Sequence, residues 1–326
     1  MTRWIAIAAA LLLGVAAWVF WTPGAPPVGA RVFVSNYRSD TVSVVDVALA
    51  REIATLPVGQ APMGLALRAG DAPLLAVANS TASHVTLIDP LALEVRGAVP
   101  VGKGPEFVAF SPDGATLYAT SHYDRTLTIV DVAQRRAVGD PIAFDRRPGE
   151  VVVAPDGGRV YVLLRDPNGA VVAIDAATRQ VVGTVPVGKS PTGIGVSADG
   201  RRVFAASFDD STISVVDTAT LAVVATLDAP TGLGLLVHPR KPLLYSLASF
   251  EDTVAVVDVE AGKAVASIDV GQWPTYGAIS ADGRLLFVPN EDSDSLAQID
   301  TQTNAVVLRI AVGDEPAHAV IFGAAP

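Results

Sequence analysis

The sequence contains no cysteine, and histidine, methionine and aromatic residues are scarce. Without cysteine the chain has no disulfide, no thiolate nucleophile and no Cys-x-x-Cys-His haem attachment. Positive charge is also scarce, because 23 Lys and Arg face 33 Asp and Glu and the net charge is −10. A nucleic-acid partner is therefore not expected, since no basic stripe is present to neutralise phosphates. The Gly-x-Ser-x-Gly, His-Glu-x-x-His and phosphate-loop motifs of common enzymes are missing too.

One uncharged hydrophobic run, Trp4 to Trp21, stands at the amino end after Arg3. It has two interpretations: a cleaved signal peptide with Val28-Gly29-Ala30 as a small-x-small site, or an uncleaved anchor with interfacial tryptophans, which its length favours. Either way we expect the rest of the chain to be periplasmic or extracytoplasmic, anchored in the inner membrane or secreted. The predicted division is a signal or anchor at 1–22, a Pro/Gly linker at 23–30 and one domain at 31–326.

The chain contains an internal sequence repeat. An apolar phrase closed by Asp, such as "VSVVD" and "ISVVD", ends at positions 46, 89, 131, 175, 217, 258 and 300. The period of 41–44 residues and the alternation of Val, Ile and Thr indicate propeller blades rather than helical pairs. Each closing Asp is expected to accept backbone N–H groups in the next turn, which is a structural role.

Each unit reads as four short strands, with tight turns such as "SPDG" and "SADG". The predicted fold is therefore all-β: a seven-bladed β-propeller of four-stranded blades, preceded by one N-terminal hydrophobic helix. The first unit begins with its second strand, and the chain ends on a lone inner strand, Pro316–Phe322. These two are predicted to pair and close a ring, which we expect to be monomeric.

The phrases Phe33-Val-Ser-Asn36, Tyr118-Ala-Thr-Ser121 and Phe287-Val-Pro-Asn290, together with the "VG…P…SPDG" phrase, resemble the signature of the YVTN-repeat (YncE-like) seven-bladed β-propellers. That family is related to the cytochrome d1 haem-domain propellers and to propeller lactonases. The resemblance implies a periplasmic or surface propeller and says little about function. Two units depart from the pattern: Leu164 replaces the Asn of unit four, and unit five reads "DAPTGLGLLVHPRK" in place of its last Pro phrase.

A site is expected where the units differ, because the constant positions build blades. The position two residues after the inner-strand Pro, here called the axial position, reads Gly64, Phe107, Glu150, Gly193, Gly234, Tyr276 and His318. With the neighbouring Glu106, Arg147 and Trp273, its larger residues are predicted to ring one mouth of the central channel. This set suits a small anionic or aromatic ligand; the competing interpretation is a solvated channel lining. We assign no residue a catalytic role.

No metal site is predicted. His122 and His84 are weak candidates, because a metal needs several converging ligands and a loop histidine is the simpler explanation. No cofactor is expected either, with a haem-type tetrapyrrole as the alternative.

The function that these features favour is a non-enzymatic, exported binding or scaffold propeller, with a membrane tether through Trp4–Trp21. Its channel-mouth face would meet a partner protein or a small ligand. One alternative is a tetrapyrrole- or metal-linked role, with His318, His122 or His84 as axial ligand. Another is a propeller lactonase or lyase, with Glu150 or His318 as general base and Arg147 holding substrate.

Overall fold

The computed structural model describes residues 29–323, and every long element in that range is a strand. The predicted amino-terminal helix and the anchor question lie outside the described residues. Within 29–323 no helix has the length and apolar character needed to cross a membrane. Two short 3-10 turns, Ser249–Glu251 and Glu291–Ser293, are the helical segments of this range.

The strands of the amino-terminal half are β1 (Arg31–Asn36), β2 (Thr41–Asp46), β3 (Arg51–Pro57), β4 (Pro62–Arg68), β5 (Leu74–Asn79), β6 (His84–Asp89), β7 (Glu94–Pro100), β8 (Pro105–Phe110), β9 (Thr116–Ser121), β10 (Thr126–Asp131), β11 (Arg136–Ala137), β12 (Ile142–Ala143), β13 (Pro148–Val153), β14 (Arg159–Leu164), β15 (Ala170–Asp175) and β16 (Val181–Pro186). Those that follow are β17 (Pro191–Val196), β18 (Arg202–Ser207), β19 (Thr212–Asp217), β20 (Ala222–Asp228), β21 (Leu235–Val237), β22 (Leu243–Ala248), β23 (Thr253–Asp258), β24 (Lys263–Asp269), β25 (Ala278–Ile279), β26 (Leu285–Asn290), β27 (Ser295–Asp300), β28 (Ala305–Ala311) and β29 (Pro316–Phe322).

These strands form the seven antiparallel blades that the repeat predicts. Blade 1 is β29-β1-β2-β3 and blade 2 is β4 to β7; blade 3 is β8 to β12, with its outer strand split in two. Blades 4, 5, 6 and 7 follow as β13–β16, β17–β20, β21–β24 and β25–β28. A single parallel bridge, Asp228 to Lys263, joins the outer strands of blades 5 and 6.

Ring closure is confirmed by the pairing of the last strand with the first. β29 pairs antiparallel with β1 from Arg31↔Phe322 to Asn36↔Pro316. The carboxyl-terminal strand thus supplies the inner strand that the first unit lacks and covers the edge of β1.

The apolar phrases occupy the middle strands, which are covered on both faces by the neighbouring blades. All six residues of β5 are buried, whereas the outer strand β24 alternates between exposed and half-buried side chains. Leu87 of blade 2 and Leu117 of blade 3, for example, belong to one cluster between those blades. Burial on both faces is why the phrase is continuously apolar instead of alternating.

The closing aspartates confirm their predicted role. Asp217 Oδ1 accepts the N–H groups of Ala219 and Thr220 at 3.1 and 2.8 Å. The equivalent aspartates make the same kind of bond at positions 46, 89, 131, 175, 258 and 300. These turns, together with the SPDG-type turns, form one face of the disk, here called the opposite face. The loops that follow β1 and its equivalents and lead into the inner strands form the mouth face.

Candidate functional site

The channel narrows where blades 1, 3 and 7 bring three axial-position rings together. Phe107 and Tyr276 meet edge to face with ring centroids 4.8 Å apart. The His318 ring lies 6.4 Å from Phe107 and 5.9 Å from Tyr276. These three predicted residues therefore form one aromatic cluster across the axis, which makes the floor of the mouth.

The small residues at the axial position follow from the close approach of inner strands. A Cβ on Gly64 would lie 2.4 Å from the carbonyl oxygen of Glu106 in the next blade. A Cβ on Gly193 would lie 2.8 Å from the backbone of Gly234. Crowding near the axis thus excludes a side chain at these points, as the sequence suggested.

Glu150 and His318 satisfy backbone groups of the following blade instead of pointing freely into solvent. Glu150 Oε2 accepts the N–H of Ile194 at 3.0 Å, and His318 Nδ1 accepts the N–H of Leu65 at 2.8 Å. In both cases the donor directly follows an axial-position glycine. Burial raises the pKa of Glu150 to about 8, and burial lowers the pKa of His318 to about 4. Both side chains are therefore mainly neutral at pH 7, in keeping with a structural role.

The charged centre of the mouth is Arg165, which the sequence argument missed. Its Nη1 contacts Glu106 Oε2 at 3.0 Å, and its Nη2 donates to the Tyr276 hydroxyl at 3.1 Å. The guanidinium also lies 5.2 Å from the Phe107 ring centroid, a cation–π distance. Glu106 Oε1 lies 3.2 Å from His122 Nδ1, but the two atoms are not aligned for a hydrogen bond.

Above this floor lies a cavity of about 330 Å³, which opens on the mouth face. Its walls hold three carboxylates, Glu106, Glu291 and Glu315, and the guanidinium of Arg165. Glu315 also forms an ion pair with Arg38, which is not a lining residue. Burial, followed by the charges of Glu315 and Asp292, raises the pKa of Glu291. The full lining is Tyr37, Met63, Ser80, Glu106, Tyr123, Arg165, Leu233, Thr275, Tyr276, Glu291, Glu315 and Ala317. The cavity is therefore electronegative, partly aromatic, and at the small end of ligand sites.

Of the seven predicted residues, Glu106 and Tyr276 line this cavity and the other five do not. Arg147 is exposed; its backbone carbonyl accepts the N–H of Arg165, and its own N–H donates to Asp166 Oδ2 at 3.4 Å. Trp273 packs at 4.9 Å against Phe250, which lies 5.0 Å from Phe208. These three aromatic residues form a ridge on the mouth face, and Phe250 is 66% exposed.

The weak metal candidates do not converge. His84 Nδ1 lies 3.0 Å from the Ala82 carbonyl in its own loop, and His122 lies beside Glu106. Within the described range no cluster of three or more His, Cys, Asp or Glu residues could hold a metal ion.

A signal in the sequence could have located most of what was missed. The residue that follows the second strand of each blade occupies the mouth face and differs in nearly every unit. It reads Tyr37, Ser80, His122, Arg165, Phe208, Ser249 and Glu291. Four of these line the cavity. The guanidinium is supplied by Arg165, which directly follows Leu164, the residue that departs from the repeat.

The fold and its central mouth define a seven-bladed β-propeller, and comparison with known proteins agrees. The family model "Cytochrome D1 heme domain" matches residues 144–321, more than half of the chain, and "YNCE-like beta-propeller" matches residues 66–157. The chain therefore belongs to the cytochrome D1 heme domain family of propellers, and it is YncE-like in its repeats.

Among curated proteins, YncE of Salmonella typhi and of Salmonella typhimurium, both described as uncharacterized, are 31% identical over 100 residues. That match covers 31% of this chain and 28% of each relative. Among solved structures, hydrazine synthase of Kuenenia stuttgartiensis superposes with a TM-score of 0.77 at 19% identity, covering 88% of this chain and 99% of that one. A functionally unknown protein from Desulfotomaculum acetoxidans gives 0.79 at 14% identity, covering 89% and 98%. These two likenesses concern the fold alone.

The family name raises the question of a tetrapyrrole, and the residues at the mouth do not fit one. The carboxylate groups of a tetrapyrrole need cations, yet among the described residues lining the cavity Arg165 is the one cation, and it is already paired with Glu106. None of the residues within 29–323 that line the cavity is a histidine. His318 Nδ1 is engaged by Leu65, and its ring packs against Phe107 and Tyr276.

Proposed function

We propose that this propeller is a non-enzymatic binding protein that captures a small organic cation, such as an alkylamine or a quaternary ammonium compound, in its mouth cavity. The observation that carries the proposal is the charge of the lining: three carboxylates and one guanidinium. Glu106 is paired with Arg165 and Glu315 with Arg38, and Glu291 forms no ion pair with any of the described residues. Tyr37 and Tyr123 at the rim and Tyr276 at the floor offer ring faces, which attract cations. The expectation from the sequence was a small anionic or aromatic ligand; the proposal departs from the anionic alternative, which Glu291 would repel.

The lack of an assembled acid–base pair supports binding over catalysis. Glu150 and His318 each accept a backbone N–H, and Arg147, the expected substrate clamp, has an exposed side chain away from them. A lactonase or lyase would need these groups within hydrogen-bond reach of one substrate.

Titration calorimetry of the full chain with choline and with its neutral isostere, in which carbon replaces nitrogen, tests the charge preference. Choline should bind and the isostere should bind at least about tenfold more weakly, because only the cation gains from the rings and carboxylates. The substitution Glu291→Gln should weaken choline binding several-fold, whereas Glu251→Gln, an exposed glutamate on the same face, should not. Binding of benzoate in place of choline would overturn the proposal.

A second candidate function, recognition of a protein partner, is favoured by the ridge formed by Phe208, Phe250 and Trp273. Exposed aromatic side chains in contact are the usual anchors of protein interfaces. If the ridge is an interface, Phe250→Ser should abolish capture of the partner and leave choline binding unchanged. A partner retained by this variant argues against the ridge.

We also propose that the propeller is exported from the cytoplasm. The uncharged run Trp4–Trp21 after Arg3 supports translocation of the propeller across the inner membrane. The mass of the native protein checks the processing, since a start at Met1 means an anchor and a start near Arg31 means cleavage. A full-length protein recovered from the cytoplasm would contradict export.

A further inference from the structure

A second cleft, of about 450 Å³, lies on the opposite face between blades 5 and 6. It is lined by four cations, Arg201, Arg202, Arg240 and Lys241, against a single carboxylate, Asp199. In a chain with a net charge of −10 this is an unusual local excess of positive charge. The cleft shares no lining residue with the mouth cavity and lies outside the proposed function.

Among the described residues the four cations form no close ion pair, although Asp217 and Asp282 interact electrostatically with Arg202 and Arg240. Across residues 29–323, none of them has a carboxylate oxygen within the ion-pair limit of 4.0 Å. Asp199 is engaged in its own turn, where its Oδ1 accepts the Ser197 hydroxyl at 2.6 Å and the Arg201 N–H at 3.1 Å. Four cations near three carboxylates leave the cleft with a net positive charge, and the like charges that share it repel each other and reduce stability. An anionic ligand would relieve that cost.

The turn between β21 and β22 in blade 6 has a different sequence, and this difference produces the excess of positive charge. In blades 3, 5 and 7 this turn carries a serine and an aspartate, as in Ser280-Ala-Asp282-Gly, where the serine hydroxyl donates to the aspartate at 2.6 Å. In blade 6 the corresponding residues are His238 and Arg240.

The turn keeps its support without the carboxylate, because His238 Nδ1 accepts the N–H groups of Arg240 and Lys241, each at 3.0 Å. His238 is 4% exposed, and its ring packs against Gly283 in blade 7, where a Cβ would lie 2.4 Å from the imidazole. The buried His238 thus takes over the acceptor role in this turn, and Arg240 stands where the aspartate stands in the other turns of this kind.

The chemistry of the lining points to the ligand. Three of the four cations are arginines, whose planar guanidinium matches the oxygens of a phosphate group. Val237, Leu243 and Val259 supply half-buried apolar wall beside them. We propose that the cleft between blades 5 and 6 binds a phosphate-bearing anion, with apolar substituents of the ligand lying against that wall.

Two sources could supply such a group, a soluble organic phosphate or the headgroup of an anionic lipid. Calorimetry of the full chain with inorganic pyrophosphate and with hexyl phosphate tests the first. Co-sedimentation with phosphatidylcholine vesicles, with and without phosphatidylglycerol, tests the second. If the protein binds pyrophosphate or hexyl phosphate, the ligand is a soluble phosphate. If it binds neither and sediments only with vesicles that contain phosphatidylglycerol, the ligand is the lipid headgroup.

The double substitution Arg240→Ser with Lys241→Ser should weaken whichever binding is seen by at least about tenfold, since each charge-assisted contact contributes strongly. The control is Arg135→Ser with Arg136→Ser, which removes the same charge from another turn of the same face. An unchanged thermal midpoint in both variants shows that folding is intact. Equal losses in both, or no binding of any of these probes by the parent, would overturn the proposal.

Discussion

At the scale of single residues, His318 is a structural acceptor rather than a ligand or base. Replacing it by alanine leaves the Leu65 N–H without its partner at 2.8 Å. We expect His318→Ala to lower the free energy of unfolding by about 1–3 kcal/mol in urea denaturation at pH 7, the cost of a stranded buried donor. His84→Ala, at the first residue of β6, should cost less than about 0.5 kcal/mol. Equal effects would contradict this role.

Glu150 gives the molecule a pH dependence whose sign follows from its raised pKa. The folded state holds a proton between the ordinary pKa of 4.5 and about 8, whereas the unfolded state has released it. Stability contributed by Glu150 therefore falls as pH rises through this window. His318 acts in the opposite direction between about 4 and 6.5, so its contribution does not oppose that of Glu150 above pH 6.5.

The measurement is the free energy of unfolding at pH 6.5 and at pH 8. The parent should lose about 1 kcal/mol more than Glu150→Gln over this interval, because glutamine keeps an acceptor for Ile194 and has no proton to lose. Glu94→Gln, an exposed glutamate, should follow the parent. A pH profile of Glu150→Gln parallel to that of the parent would show that Glu150 does not titrate there.

The site was harder to predict than the fold for a residue-level reason. Pattern alignment shows which positions vary, and it correctly brought Phe107, Tyr276 and His318 together. It does not show the direction in which a side chain points. The hydrogen bond that Glu150 accepts from the Ile194 N–H could therefore not be foreseen. Arg165 was missed because it follows a departure from the repeat, where the alignment gives no template.

At the scale of elements, the sequence predicted nearly all of the architecture. The period, the alternation and the lone terminal strand together determined seven blades and their closure, because both faces of a middle strand must be buried against neighbours. The split outer strand β11 and β12 and the bridge between β20 and β24 were not foreseen. Outer strands pack on one side only, so their pattern constrains them less.

Closure makes β29 essential to blade 1. A chain truncated before Pro316 exposes the edge of β1 and the clusters that its residues cover. We expect such a truncation to lower the thermal midpoint strongly and to unfold the ring in one cooperative step. A truncation after Gly323, which keeps β29 whole, is the control. A midpoint near that of the parent in the shorter variant would contradict closure as a source of stability.

At the scale of the whole molecule, the two faces differ in charge and in their relation to the chain ends. The mouth face holds the acidic cavity, and the opposite face holds the basic cleft. Arg31, the first residue of β1, lies opposite Asp46 of β2 and Phe322 of β29 in the sheet. All three residues lie at the opposite face of the disk. Any tether that precedes Arg31 therefore joins the disk on the opposite face.

This placement predicts the orientation of an anchored protein. A linker of eight residues, 23–30, spans at most about 28 Å, and a blade is about 20 Å tall along its strands. The opposite face should then lie toward the bilayer, where a basic cleft can meet anionic headgroups, while the mouth cavity faces away toward soluble ligands.

The absence of cysteine makes this orientation measurable with single introduced thiols. A fluorophore at Leu49→Cys, exposed in a turn of the opposite face, should be quenched by lipids that carry quenchers at the headgroup. The same fluorophore at Phe250→Cys, on the mouth face, should be quenched much less, because it lies about one strand length further from the membrane. Equal quenching would mean that the disk tumbles freely on its linker, and no quenching at either site would mean that the anchor is removed. Strong quenching at Phe250→Cys alone would place the mouth against the bilayer and reverse the assignment of the two faces.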